Sequence, residues 1–371
     1  MSTKLRSVII SGGGTGGHIY PALAIADEIK RRYPDCKIQF VGAKGRMEME
    51  KIPKAGYPIQ GLWITGIERK IFSKKNLSFP FKLISSLWTA KKLIKQHQPQ
   101  IAIGVGGFAS GPLLHQASKK GIPTLIQEQN SFPGITNRIL SKNVDVICAG
   151  FEGLNRWFPE NKIILTGNPI RNGIGDITNL KSKALNHFDL SPDSPVVFIM
   201  GGSLGAKSIN DGVSEALESW TEKGYQVIWQ TGKRYLSSIE SELKYQKPTG
   251  VKLVDFIERM DLAYAAADLI VSRAGAMSIA ELALVGKPTI LVPSPNVSED
   301  HQTKNALALT ENGASHLIKD KEVSEKLLST VLNLMDNKEL LKEMSAKTKT
   351  FARPNAAIDV VNEIEKLVDR L

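Results

Sequence analysis

His18 stands at the end of Gly12-Gly13-Gly14-Thr15-Gly16-Gly17, a loop with five glycines. The loop is entered from the apolar run Val8-Ile9-Ile10-Ser11 and left through Ile19-Tyr20-Pro21-Ala22-Leu23-Ala24, which reads as a helix. Glycine allows positive φ and close approach of backbone N–H groups, and a helix start adds the positive end of its dipole; together they suit a phosphate or diphosphate. An imidazole at that point titrates near neutral pH and fits a general base, although it could equally hold a diphosphate oxygen or cap the helix. Pro21 belongs near the first helical turn, where a missing N–H costs little. No Gly-Lys-Ser/Thr ending follows, so the loop is not a P-loop. Glu128, in Gln127-Glu128-Gln129-Asn130, is the second candidate base.

Three further stretches could handle anions or sugars. Gly104-Val105-Gly106-Gly107-Phe108-Ala109-Ser110-Gly111-Pro112 follows the apolar Ile101–Ile103 and reads either as a diphosphate-holding loop or as tight strand–helix packing. Val196–Met200 runs into Gly201-Gly202-Ser203-Leu204-Gly205, a restart of the first pattern. Leu269-Ile270-Val271-Ser272 leads into Arg273-Ala274-Gly275-Ala276-Met277-Ser278 and a helix carrying Glu281, whose carboxylate could accept both ribose hydroxyls or compensate the helix dipole. Downstream, the polar run 298–306 gathers donor–acceptor side chains suited to sugar hydroxyls.

From Arg69 to Lys95 there are eight basic residues and no acidic one. Among them lie Ile71, Phe72, Leu77, Phe79, Phe81, Leu83, Ile84, Leu87 and Trp88, with Phe79-Pro80-Phe81 at a helix start. Basic side chains around apolar ones fit an interfacial membrane site, each contributing about 1 kcal/mol near an anionic leaflet. A solvated helix face is the plainer reading. Nucleic acid is a poorer fit, since no DNA- or RNA-binding motif accompanies the charge.

These residues need scaffolds. Strand-like runs at Lys37–Val41, Ile101–Val105, Thr124–Gln127, Val144–Ala149 and Ile163–Thr166, then Pro195–Met200, Gln226–Gln230, Val251–Val254, Leu269–Ser272 and Thr289–Val292, alternate with helical segments. That alternation predicts α/β architecture, with parallel sheets covered by helices on both faces. Two strand–glycine–helix starts in 371 residues predict two doubly wound, Rossmann-like domains facing a deep cleft, with 172–194 between them. A hydrophobic content of 42% and a charged content of 23% are ordinary for a globular protein, whereas the net charge of +11 calls for an anionic partner. Cys36 and Cys148 form no disulfide framework or metal motif and read as buried thiols in a reducing compartment. The polar opening leads to the expectation of no secretory signal, and no apolar run is long enough to span a bilayer.

In order along the chain, Gly13–Ala24, Gly104–Pro112, Gln127–Gly134, Thr166-Gly167-Asn168-Pro169-Ile170-Arg171, Gly201–Ala206, Arg273–Glu281 and Asp300–Ala306 closely resemble the MurG family of bacterial peptidoglycan glycosyltransferases, from about residue 8 to 310. The resemblance implies a GT-B fold, with an acceptor- and membrane-binding domain at 1–168, a UDP-GlcNAc-binding domain at 169–352, and a C-terminal helix within 353–371 crossing back. It implies inverting transfer of GlcNAc from UDP-GlcNAc to the C4 hydroxyl of the lipid-linked muramoylpentapeptide. Carried over by position, Thr15, Gly16, Gly17, Asn130, Arg171, Ser203, Ile257, Ala276, Met277, Ser278, Ile279, Ala280, Glu281 and Gln302 would bind the donor. Ile257 would meet uracil, Glu281 the ribose, Ser203 the phosphates and Gln302 the GlcNAc hydroxyls. Gly13, Gly14, Gly104, Gly106 and Gly107 would bind the acceptor, and Ile71, Phe72, Phe79, Phe81, Trp88, Lys74, Lys75 and Lys82 the membrane. Leu204 and His301 stand where well-known members commonly carry Gln.

No cofactor or essential metal is expected, since helix N-termini, loop N–H groups and Arg171 could stabilise the departing diphosphate. The implied setting is the cytoplasmic face of the plasma membrane, in cell-wall synthesis and so in cell shape and division, with other cell-wall proteins as further partners. Three other readings compete: a 2-epimerase of UDP-GlcNAc on the same fold, a dehydrogenase, for which Asp35 has roughly the spacing of a ribose ligand, and a non-enzymatic basic scaffold.

Overall fold

A computed structural model of the chain describes residues 4–66, 77–170, 174, 176–202, 204–243, 248–297 and 300–370. The chain divides into two compact units, Met1–Arg171 with Asn355–Leu371, and Asn172–Pro354.

In the first unit, strands β1 (Ser7–Ser11), β2 (Lys37–Ala43), β3 (Ile59–Leu62), β4 (Ile101–Gly104), β5 (Thr124–Glu128), β6 (Val146–Ala149) and β7 (Ile163–Leu165) form one sheet. Its order is β3-β2-β1-β4-β5-β6-β7 and every neighbouring pair is parallel. Ile9 faces Gln39 on one side and Ala102 on the other, so the order reverses across β1 and β4. Loops leaving the carboxyl ends of those two strands meet at the switch point, where such sheets bind ligands. Helices α1 (Gly16–Arg32), α2 (Glu48–Lys54), α3 (Phe79–His97), α4 (Ser110–Lys119) and α5 (Ile135–Leu140) are the crossovers. α1 starts at Gly16, so Pro21 falls in its second turn rather than near the first. There it releases the Gly17 carbonyl from the helical ladder.

The second unit repeats the plan. It contains α6 (Lys181–His187), β8 (Val196–Met200), α7 (Lys207–Glu222), β9 (Gln226–Gln230), α8 (Leu236–Glu242), β10 (Val251–Val254), α9 (Met260–Ala266), β11 (Leu269–Ser272), α10 (Ala276–Val285), β12 (Thr289–Leu291), α11 (His301–Thr310), β13 (His316–Leu317), α12 (Val323–Met335) and α13 (Lys338–Thr350). Its parallel sheet runs β10-β9-β8-β11-β12-β13, with the switch between β8 and β11. The stretch expected between domains carries α6, which packs on α9 inside this unit. Val197, Ile199, Trp220, Trp229, Val271 and Leu327 share one buried core.

The last helix, α14 (Ala356–Val368), belongs to the first unit. It lays Val360, Val361, Ile364, Leu367 and Val368 into the core formed by Val8, Ile10, Ile25 and Ile29. Arg32 locks it: its guanidinium donates to Glu365 Oε1 at 2.9 Å, Asn362 Oδ1 at 2.8 Å and Glu28 Oε1 at 2.7 Å. Both cysteines are buried, and burial pushes the Cys36 thiol up to about 11.

Candidate functional site

The β1–α1 and β4–α4 loops interlock. Val105 N–H donates to Ser11 O at 2.7 Å, and Ser110 Oγ–H reaches Ser11 O and Gly106 O, each at 3.0 Å. Glycine is required at two points of contact. Gly107 has φ +89° and a Cβ there would lie 2.5 Å from Gly13 O; Gly106 has φ +97° and its Cβ would lie 2.7 Å from His18 Nε2. Gly104 instead makes room for Leu114, the strand–helix packing reading of that residue.

His18, half-buried, leans on this pair of loops. Its Nδ1 lies 2.7 Å from Gly13 O and 3.5 Å from Thr15 Oγ1. A carbonyl only accepts, so Nδ1 carries the proton and Nε2 is the basic nitrogen of the neutral ring. Gly14 has φ +87°, and Thr15, Gly16 and Gly17 open α1 with no side-chain cap. Asp35 is remote from the loop, on the exposed turn before β2, where it pairs with Lys4.

Glu128 is placed differently. It is 2% exposed, and its carboxylate accepts from Asn130 N–H at 3.0 Å, Asn130 Nδ2 at 3.2 Å, Gly134 N–H at 3.2 Å and Asn137 Nδ2 at 2.8 Å. Four donors on one carboxylate make it the organiser of the 130–137 turn. Beneath it, Gln127 Nε2 donates to Asn168 Oδ1, Asn168 Nδ2 to Gln129 O, and Gln129 Nε2 to Val105 O, each at 2.9 Å. This buried amide chain ties the turn to the second glycine loop. Its parts are far apart in sequence and gave no local signal.

In the second unit, Gly202 (φ +82°) and Gly205 (φ +75°) shape the loop after β8. A glycine that sequence reasoning passed over, Gly232 (φ +83°), interlocks with it: a Cβ there would lie 2.3 Å from Gly205 N. Asn210, on α7, ties that helix to the end of β9, donating to Thr231 O and accepting from Trp229 Nε1, each at 3.0 Å. Leu204 is 78% exposed at the loop tip. Arg171 and Ser203 lie outside the described residues.

Gly275 precedes α10, whose first-turn N–H groups at Ala276, Met277 and Ser278 lack intrahelical acceptors. Ala276 and Ile279 face the core, whereas Met277, Ser278, Ala280 and Glu281 are partly exposed. Glu281 Oε2 accepts from Tyr264 Oη at 2.9 Å. Tyr264 is fully buried and packs edge-on against Phe198. A hydroxyl in so apolar a helix as α9 must find a partner, and that is the one signal that could have exposed it. Arg273 serves the scaffold, bonding Val292 O, Ser208 Oγ and Asp320. Gln302 Oε1 accepts Ser294 N–H at 2.8 Å, which pins the β12–α11 loop and leaves the NH2 group as the donating end of the amide. Asp300, at φ +52°, precedes α11, and His301 is its first residue. Ile257 is buried just after β10, where its backbone belongs to the loop.

On α3, Phe81, Ile84 and Trp88 are exposed in one stripe, 71%, 56% and 75%, with Leu77 just before the helix at 70%. Phe79 is half-buried, and Lys82 lies over the Trp63 ring. Ile71, Phe72, Lys74 and Lys75 lie outside the described residues. Among the described residues no helix is long and apolar enough to cross a membrane.

Comparison with known proteins places this geometry in a family. Residues 8–148 match the glycosyltransferase family 28 N-terminal domain and 196–360 its C-terminal domain. The UDP-N-acetylglucosamine–N-acetylmuramyl-(pentapeptide) pyrophosphoryl-undecaprenol N-acetylglucosamine transferase of Christiangramia forsetii is 54% identical over 369 residues, covering 100% of this chain and 99% of its own. That of Cytophaga hutchinsonii is 53% identical, covering 99% and 98%. The crystal structure of Acinetobacter baumannii MurG aligns with a TM-score of 0.77 at 29% identity, over 97% of this chain and 99% of that one. A UDP-GlcNAc 2-epimerase from Neisseria meningitidis, at 15% identity and TM-score 0.65, shares the fold alone. Matched over its full length by these transferases and built of two parallel-sheet α/β units, the chain belongs to glycosyltransferase family 28, within the MurG group of GT-B enzymes.

Proposed function

We propose that this protein is an inverting N-acetylglucosaminyltransferase that moves GlcNAc from UDP-GlcNAc to the C4 hydroxyl of undecaprenyl-pyrophosphoryl-MurNAc-pentapeptide, forming a β-1,4 bond and releasing UDP. The observation that carries the reading is 54% identity across the whole chain to a transferase of that name. The donor is assigned to the residues named for it above, Thr15, Gly16, Gly17 and Asn130 among them. The open first turn of α10 takes phosphate charge, Glu281 the ribose and Gln302 the sugar, with Arg171 and Ser203 on the diphosphate. The acceptor is assigned to the glycine loops of the first unit.

His18 is the base in this reading. The Nδ1–H bond to Gly13 O supports it, because it presents Nε2 as the nitrogen able to take the C4 hydroxyl proton. Glu128, wrapped by four donors, is the positioning group of its turn. Preorganised N–H dipoles and Arg171 stabilise the leaving diphosphate, so a divalent metal has no assigned task. The exposed stripe of α3 and its lysines seat the protein on an anionic leaflet, where the lipid-linked acceptor resides; partnership with other cell-wall proteins belongs to the same setting.

The test is UDP release from UDP-GlcNAc, with and without lipid-linked muramoylpentapeptide, and with a chelator. Acceptor-dependent release that survives the chelator is expected. Release without acceptor, with an altered sugar, overturns the transferase reading in favour of an epimerase or hydrolase. His18→Ala is expected to lower kcat about 10²–10⁴-fold while UDP-GlcNAc binding stays intact; a parallel loss of donor binding refutes the base role.

A further inference from the structure

Glu48 is a carboxylate to which the proposed chemistry gives no task. It sits in the first turn of α2, 1% exposed. Oε2 accepts Gly14 N–H at 2.8 Å and Oε1 accepts Ala43 N–H at 2.9 Å. Two glycines make room for it: a Cβ on Gly13 would lie 2.2 Å from Oε1, and one on Gly42 would lie 2.5 Å from Cγ. Gly14 N–H and Gly13 C=O belong to one peptide unit. That same carbonyl lies 2.7 Å from His18 Nδ1.

We propose that Glu48 is a positioning residue acting on His18 through the Gly13–Gly14 peptide. An N–H bound to an anion polarises its amide, so the carbonyl oxygen gains negative character and binds the imidazole N–H more strongly. A firmer Nδ1–H bond holds the tautomer and raises the basicity of Nε2. Around the ring stand the Thr15 hydroxyl, the Gly106 backbone and, one peptide away, the Glu48 charge. The same bond engages Gly14 N–H, so an anionic ligand at this loop draws on other donors. The consequence for catalysis rests on His18 being the base.

The experiment is NMR on the full chain, selectively labelled at histidine and glycine. In wild type the Gly14 amide resonance is expected downfield and moving with the His18 titration at the same midpoint. In Glu48→Gln one amide group must face two N–H donors. The His18 midpoint should fall by about one pH unit, and kcat should drop about tenfold with KM for UDP-GlcNAc unchanged. An unaltered His18 midpoint in folded Glu48→Gln overturns the relay. A lowered midpoint with unaltered kcat upholds the relay and instead removes His18 from the base role. Should Glu48→Gln not fold, the wild-type spectrum decides: a Gly14 resonance indifferent to His18 titration overturns the proposal.

Discussion

Replacing Gly106 by alanine probes how tightly the His18 ring is held. At φ +97° the new Cβ would lie 2.6 Å from His18 Cδ2 and 2.7 Å from Nε2, whereas ordinary contact begins near 3.4 Å. The ring must retreat by roughly 0.8 Å or the loop must turn, and an L-residue at this φ costs about 1–2 kcal/mol. For a unit of this size that corresponds to a melting point lower by about 2–8 °C, so the protein stays folded. With His18 in the proposed base role the rate suffers more, because a base displaced by about 1 Å loses on the order of 10²-fold. The assay pairs thermal melting with acceptor-dependent UDP release over a range of UDP-GlcNAc concentrations. Expected are a kcat lower by about 10²-fold, a donor KM within about twofold of wild type, and a modest loss of melting temperature. A variant that melts lower but keeps its kcat would show that the imidazole beside Gly106 is not the reacting group.

Tyr264→Phe removes the hydroxyl that orients Glu281, so KM for UDP-GlcNAc should rise about tenfold at nearly constant kcat, for a hydrogen bond to a charged group; initial-rate kinetics check it, and an unchanged KM separates Glu281 from the donor. Ile364→Ala hollows the seam between α14 and α1 and should cost about 2–5 kcal/mol in urea unfolding, followed by a probe in the first unit; a cost below about 1 kcal/mol would mean that the last helix is loosely held. The Arg31 guanidinium, then Arg32, hold the Glu28 carboxyl below its usual range despite its burial. Its stabilisation is therefore complete above the unfolded value of about 4.3 and is lost as pH falls through the lower folded value. Wild type should exceed Glu28→Gln in unfolding free energy at pH 7 and lose that lead in acid, whereas a pH-independent gap refutes the assignment.

Much of the scaffold was legible because strands and glycine loops are local signals. Val8–Ser11 and Val196–Met200 are apolar runs followed by glycine, and each became an interior strand at the switch point of its sheet. β3 and β13 escaped notice: Ile59–Leu62 follows Pro58 and contains Gly61, and His316–Leu317 has two residues, too few for periodicity. The stretch 172–194 read as a connector because Gly173, Gly175 and Pro192 dominate it, yet Ala184 and Leu185 are buried in α6.

At the sites, the sequence by itself determined which residue types lie on the loops at the carboxyl ends of the strands: His18 among glycines, Glu128 in an amide-rich turn, Glu281 early in a helix. Their roles were decided by tertiary structure, because a side chain's chemistry depends on neighbours that the sheet order brings from elsewhere. Glu128 and His18 look equally able to take a proton in one dimension. Packing surrounds the first with four donors and sets the second against a carbonyl that fixes its tautomer. Glu48 reaches that carbonyl's peptide only because β2 lies beside β1, and Tyr264 reaches Glu281 only because α9 and α10 flank the same strand, β11. Hydrogen bonds act over about 3 Å and sequence separation carries no information at that range, so these partnerships exist only in the folded chain.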